Sequence, residues 1–232
     1  MTPSETDQQK RLAAEAAVKY VSHGQVVGLG TGSTAKYVVL ALGLLVKAGL
    51  SIKGVPTSTE TAELAKSQNI TLLSDDEPWN IDVAIDGADQ VDPQLNLIKG
   101  GGGALLREKI VAAAAKQFIV VVDGAKRVPV LGGTFPLPIE VACFGWRSTA
   151  RLIERASRAG KSVLRERGGQ AFRTEAGNYI LDLHLPRIDD PAELEARLLG
   201  IPGVVETGLF VGRTDILIVG TQQGIEVRQA AR

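Results

Sequence analysis

Apolar residues recur at helical spacing through "DQQKRLAAEAAVKYVS" (residues 7–22), and the period then changes: "QVVGLG" is a short, almost wholly apolar run. A 3.6-residue period predicts an amphipathic helix, and a short unbroken apolar run predicts a buried strand. The alternation continues. "AKYVVLALGLLVKAG" predicts a helix ending near Gly49, "SIKGVPT" a strand, and "TSTETAELAKSQN" a helix, with Thr57 and Glu60 at capping-box spacing. "ITLLS" and "IDVAIDGAD" predict two further strands, and "QFIVVVDG" a buried strand that follows a helix running through Lys116. Strands alternating with helices predict a parallel sheet covered on both faces, since parallel strands need crossover connections.

From about residue 132 the rhythm is different. "PLPIEVACF" predicts a strand, "WRSTARLIERASRAG" a helix, "KSVLRERGGQ" and "NYILDLHLP" an antiparallel pair, "DPAELEARLLG" a helix and "GVVETGLFVG" a closing strand. The order βαββαβ predicts a small ferredoxin-like unit. The last apolar segment, "TDILIVGTQ", is expected to return to the first sheet.

Composition narrows the chemistry. Basic and acidic residues balance at 26 each, so the basic excess of a dedicated nucleic-acid binder is missing. The polar, acidic start "MTPSETDQQKR" does not open like a signal peptide, and the longest apolar run, residues 38–46, is too short for a bilayer. A soluble cytoplasmic protein with no membrane partner is the expectation. The single cysteine, Cys143 in "IEVACF", is expected as a packed core thiol, and His23 and His184 as structural residues. Catalysis would then rest on carboxylates and lysines.

Three loops at predicted strand ends carry such groups, and ligands of parallel sheets bind at strand carboxyl ends. The first, "GLGTGST", puts glycines and the hydroxyls of Ser33 and Thr34 at a helix start, a phosphate cradle that lacks both the dinucleotide fingerprint and the P-loop lysine. The second, "DGADQVD", holds Asp86, Asp89 and Asp92. It departs from a calcium loop at Ala88, Gln90 and Val91 and leaves magnesium on two carboxylates open. The third, "LIKGGGGALLREKI", sets Lys99 before four glycines and Glu108 just over one turn into a helix. Side-chain-free N–H groups at a helix start stabilise an oxyanion, and a nearby carboxylate can serve as general base. Lys126 follows a further strand in "VVVDGAKRV". A turn, a solvated acidic loop and an exposed charged helix face are the ordinary readings of these segments one at a time. Together they point to proton transfer next to a carbonyl.

"GLGTGSTA", "DGADQVD", "LIKGGGGALLREKI", "FPLPIEV" and "IPGVVETGLF", in this order, closely resemble the ribose-5-phosphate isomerase A family across almost the whole chain. The resemblance implies a metal-free, cofactor-free aldose–ketose isomerase that interconverts ribose 5-phosphate and ribulose 5-phosphate. It implies an α/β fold: a Rossmann-like catalytic domain of residues 1–131 and 208–232, and a ferredoxin-like lid domain of residues 132–207. By resemblance Glu108 is the base, and Lys99 with Gly100, Gly101 and Gly102 holds the enediolate oxygen. Asp86, Gly87, Ala88 and Asp89 form the loop that binds sugar hydroxyls, with Asp86 assisting ring opening or hydroxyl proton transfer. Thr31, Gly32, Ser33 and Thr34 form the substrate loop, and Lys126 and Lys10 are further substrate contacts. A homodimer is implied as well. The family pattern departs at Gln90, where an acidic residue is common, and at Gly124.

A sugar-phosphate deaminase, a sugar-phosphate sensor and a magnesium-dependent phosphatase are the competing readings. The first would want a histidine in one of the loops, the second a DNA-binding module, and the third would lose activity with a chelator. Arg107 and Lys109 receive no role beyond a solvated helix face or a salt bridge.

Overall fold

The computed structural model of the chain describes residues 5–230 and divides into two compact units. The first comprises the chain up to Ala88, Arg107–Lys126, and the segment from Arg213 on. It is built on a seven-stranded sheet in the order Gly224–Gln229, Ile216–Thr221, Ala115–Asp123, Ile81–Asp86, Val26–Leu29, Lys53–Pro56, Thr71–Leu72. All neighbours are parallel except the edge pair Ile216–Thr221 and Gly224–Gln229. The six parallel strands follow the doubly wound order 3-2-1-4-5-6. Val27, Leu29, Ile85 and Ile119 from the sheet pack with Ala13 and Ala17 of the helix Glu5–Ala17 and with Val38 and Leu42 of the helix Ser33–Lys47. The first helix lies directly on the sheet backbone: a Cβ at Gly220 would come within 2.0 Å of the Gln9 carbonyl oxygen.

Three details depart from the sequence pattern. The helix Thr59–Ser67 is capped by Ser58, whose Oγ accepts the Thr61 N–H at 3.1 Å. Thr57 instead donates its hydroxyl to the Leu29 carbonyl at 3.1 Å, because the strand before it runs beside Val26–Leu29. The edge strand Gly224–Gln229 carries only two alternating apolar residues, Ile225 and Val227, and both are exposed. Cys143 is only half-buried, bonded to the Gly177 carbonyl and the Arg173 guanidinium instead of packed in a core.

The second unit, Asp89–Leu106 and Arg127–Gly212, holds a four-stranded antiparallel sheet in the order Val204–Thr207, Leu137–Val141, Tyr179–His184, Lys161–Leu164. With the helices Trp146–Ser157 and Pro191–Leu199 this gives βαββαβ and strand order 4-1-3-2, the ferredoxin-like arrangement. Ile139, Leu181 and Leu183 on one face of the sheet pack against Ile153, Leu194 and Leu198 of the helices. The unit extends beyond residues 132–207, because Leu97–Ile98 pairs with both Leu209–Phe210 and Gln90–Val91 in a small three-stranded sheet. Gln90 is buried there and grips one residue twice, donating to the Gly132 carbonyl at 2.9 Å and accepting its N–H at 2.8 Å. A carboxylate at this position could not donate, so the departure from the family pattern has a structural use.

Candidate functional site

In the first unit the doubly wound order reverses between Val26–Leu29 and Ile81–Asp86, and such a reversal opens a crevice at the strands' carboxyl ends. Asp86 and the loop from Gly30 emerge there. Asp86, 3% exposed, accepts the Thr31 N–H at 3.1 Å and the Gly87 N–H at 2.7 Å on one carboxylate oxygen, Oδ1. Residue 30 must be glycine, since a Cβ would stand 2.1 Å from that oxygen. The Thr31 hydroxyl lies within hydrogen-bond distance of three others: Thr57 at 2.7 Å, Ser58 at 2.8 Å and Thr61 at 3.1 Å. Thr57 and Thr61 in turn donate to the carbonyls of Leu29 and Gly30, so the loop backbone is held along its length.

Gly32, at φ +102°, opens the helix Ser33–Lys47 without a side-chain cap, and Thr34 is buried in its first turn. Uncapped first-turn N–H groups are suited to an anion. Lys10 Nζ donates to Ser33 Oγ at 3.1 Å. On the same helix Gln9 accepts the Gly124 N–H at 3.3 Å, in the turn Gly124–Lys126 that carries the half-buried Lys126. One helix therefore ties Lys10 to the glycine loop and reaches the Lys126 turn, three segments far apart in sequence. Glu108, 5% exposed, stands in the first turn of the helix Leu105–Ala114. Lys109 is buried as well, so it belongs to no solvated face, whereas Arg107 is exposed.

In the second unit Lys99 is 2% exposed, with Nζ 5.5 Å from the centre of the Phe210 ring. Its N–H donates to the Gly208 carbonyl at 2.8 Å. Gly208 is required at that contact, because a Cβ there would lie 2.3 Å from the Lys99 carbonyl oxygen. The glycine run that follows is not uniformly open. Gly101 donates its N–H to Asp89 Oδ2 at 2.8 Å, and Gly103 donates to the Gly100 carbonyl at 3.0 Å. Among the described residues the N–H groups of Gly100 and Gly102 donate to none. Gly100 and Gly103 take positive φ, +102° and +91°, which favours glycine, while Gly102 has open space around its missing Cβ. On the carbonyl side Arg165 donates from Nη1 to Gly100 at 2.7 Å and to Gly101 at 3.1 Å.

Asp92 uses both carboxylate oxygens on its own loop, accepting from Gln94, from the Asn96 backbone and from the Asn96 amide. Ala88, half-buried, ends the first chain segment of the first unit and offers no polar side-chain group. His23 accepts the Ser51 N–H, and His184 lies exposed at a strand end. Sequence reasoning missed the hydroxyls of Thr57, Ser58 and Thr61, although "PTSTET" at a strand end was a usable signal, and missed Arg165, which has none.

The family model for ribose 5-phosphate isomerase A (phosphoriboisomerase A) matches residues 53–224. The ribose-5-phosphate isomerase A of Jannaschia sp. is 52% identical over 97% of this chain and 88% of its own. That of Gloeobacter violaceus is 52% identical over 94% of each chain. Among solved structures, the ribose 5-phosphate isomerase of Plasmodium falciparum superposes with a TM-score of 0.94 at 35% identity, covering 97% of this chain and all of that one. A D-ribose-5-phosphate isomerase in complex with phospho-erythronic acid gives 0.92 at 44% identity, covering 97% and 99%. The chain belongs to the ribose 5-phosphate isomerase A family, and its activity is the interconversion of ribose 5-phosphate and ribulose 5-phosphate.

Proposed function

We propose that this member of the family performs the interconversion by moving one proton between C2 and C1 of the open-chain sugar, with Glu108 as the base and an enediolate as intermediate. The observation that carries the reading is Glu108 itself. It is a carboxylate held out of water in the first turn of a helix that begins just beyond a glycine run with open Gly100 and Gly102 N–H groups. A base shielded from water can take a proton from carbon, and donors fixed in advance stabilise the oxyanion left behind.

From the aldose, Glu108 takes the C2 proton and the electron pair forms the C1–C2 double bond, leaving negative charge on O1. The hydroxyl proton passes from O2 to O1, and Glu108 returns its proton to C1 to give the ketose. Electrons balance within the sugar, so the route uses no redox partner. Lys99 and the Gly100 and Gly102 N–H groups are assigned to the enediolate oxygen. Asp86, oriented by the Thr31 and Gly87 N–H groups, is assigned to the hydroxyl proton and to ring opening. The start of the helix Ser33–Lys47 with Lys10 and Lys126 is assigned to the phosphate end.

Phospho-erythronic acid, present in the 44% identical structure, supports the reading. Its trigonal carboxylate carries negative charge much as one end of an enediolate does, and we expect it to inhibit this enzyme competitively. A homodimer in the cytoplasm is the accompanying reading, carried by the family resemblance, and sedimentation equilibrium of the purified protein tests the dimer.

The deciding experiment is Glu108→Gln, assayed with ribose 5-phosphate in the presence of excess chelator. The wild type should keep its activity with chelator. The variant should lose at least ~10³-fold in kcat, within the range for a positioned acid–base group, while still binding sugar phosphate. Wild-type turnover by the variant would remove Glu108 as the base.

A further inference from the structure

We propose that Arg165, held by Asp182, is a positioning residue of the isomerase: it fixes the peptide planes of the glycine run so that the Gly102 N–H points at the developing oxyanion. The proposal rests on the reading above, in which that run stabilises the enediolate.

Arg165 follows the edge strand Lys161–Leu164 and is itself tied to the sheet, its N–H donating to the Ile180 carbonyl at 2.8 Å. Its side chain is 13% exposed, and every nitrogen of the guanidinium is engaged. Nε donates to Asp182 Oδ2 at 2.9 Å and Nη2 to Asp182 Oδ1, the two-point fork that a carboxylate offers a guanidinium. Nη1, the remaining corner, reaches the carbonyls of Gly100 at 2.7 Å and Gly101 at 3.1 Å.

Those carbonyls belong to two successive peptide groups. The Gly100 carbonyl shares its plane with the Gly101 N–H, which Asp89 accepts, so that plane is pinned at both ends. The Gly101 carbonyl shares its plane with the Gly102 N–H. The described residues contain no cis peptide, and in a trans peptide the N–H points opposite to the C=O. Arg165 on the carbonyl therefore turns the Gly102 N–H away from the guanidinium.

A glycine peptide needs such a hold. Without side chains to restrict φ and ψ, the Gly101–Gly102 plane could rotate and present its carbonyl where the N–H is needed. A cation on the carbonyl does more than prevent the flip, because it polarises the peptide and makes its N–H a stronger donor, as chained hydrogen bonds polarise one another. Lysine could not replace it. Lysine is a point charge without the planar fork that engages Asp182 and two carbonyls together.

The test compares Arg165→Met and Arg165→Lys with Glu108→Gln, reading kcat, KM for ribose 5-phosphate and the amide 15N–1H resonance of Gly102. Both Arg165 variants should lose roughly 10- to 100-fold in kcat, less than the 10²–10³-fold of removing an oxyanion donor outright. KM should stay within about 3-fold, since a group acting on the transition state leaves substrate binding alone. The Gly102 amide should shift upfield as the polarising donor is lost. If Arg165→Met does not fold, Arg165→Lys, with a similar stem and the same charge, carries the same expectation. Wild-type kcat in a folded Arg165 variant, with Glu108→Gln inactive, would overturn the positioning role and leave the reaction reading standing. Retained turnover in Glu108→Gln would overturn both.

Discussion

Asp86 Oδ1 accepts the Thr31 N–H at 3.1 Å, joining the acidic end of one central strand to the glycine loop that follows its neighbour. The contact lies at the point where the doubly wound order reverses, so the sheet topology itself delivers a carboxylate to a backbone loop. Its closeness makes the pair sensitive to a single carbon atom.

Gly30→Ala would place a methyl group 2.1 Å from Asp86 Oδ1, and the carboxylate must move. Overpacking of this kind costs about 1–3 kcal/mol, and a reacting group displaced by about 1 Å can lose on the order of 10²-fold in rate. Calorimetric unfolding and steady-state kinetics should therefore both register the change. A variant with wild-type kcat would show that the orientation of Asp86 is not needed.

Gly102→Ala should behave in the opposite way. Its φ is not in the left-handed region and nothing lies within 4 Å of the position a Cβ would take, so the fold accepts the methyl. Such a replacement tends to stabilise by ~0.4–1 kcal/mol by restricting the unfolded chain. Activity should nonetheless fall at least about 10-fold, because the methyl enters space assigned to the reacting end of the sugar. An equal or higher melting temperature with lowered kcat/KM is the expected pair of results. Unchanged kinetics would take the Gly102 N–H out of the oxyanion site.

Asp82 gives a pH signature unrelated to catalysis. Its carboxylate accepts from Lys116 Nζ at 2.7 Å and from the Val26 N–H at 2.9 Å. The Lys116 hydrogen bond first, and the Val26 N–H second, hold its pKa below the ordinary carboxylate value. A pKa lowered by folding adds stability above the unfolded value, near 3.9, and that stability is lost as pH falls through the folded value. Asp82→Asn should therefore melt about 2–4 °C lower at neutral pH, for a loss of about 1 kcal/mol. The gap from wild type should close below about pH 4. A gap that persisted in acid would mean that the loss is steric.

The strands and helices were legible because burial leaves a period in the chain. The β-branched-rich runs "IVVV" and "ILIV" favoured buried strands, and "GLGTGST" and "KGGGG" were recognisable as loops for backbone contact with a ligand. The edge strand Gly224–Gln229 left only a two-residue alternation, Ile225 and Val227, because its side chains face solvent and burial imposes no longer period there. The capping residue was off by one, since Thr57 and Ser58 are chemically near-equivalent and only the carbonyl of Leu29 distinguishes them.

By itself the sequence determined the alternation of elements, the candidate groups Asp86, Lys99 and Glu108, and the need for glycine before the helix that carries Glu108. Local periodicity and residue chemistry are written into neighbouring positions, so they can be read there. Only the tertiary structure decided that Gly101 and Gly103 already spend their N–H groups, that Lys10 meets Ser33, and that Arg165 reaches Gly100 across 65 positions. Those bonds depend on which strands pair and where loops converge, and a hydrogen bond between distant residues imposes no pattern on the sequence around either one.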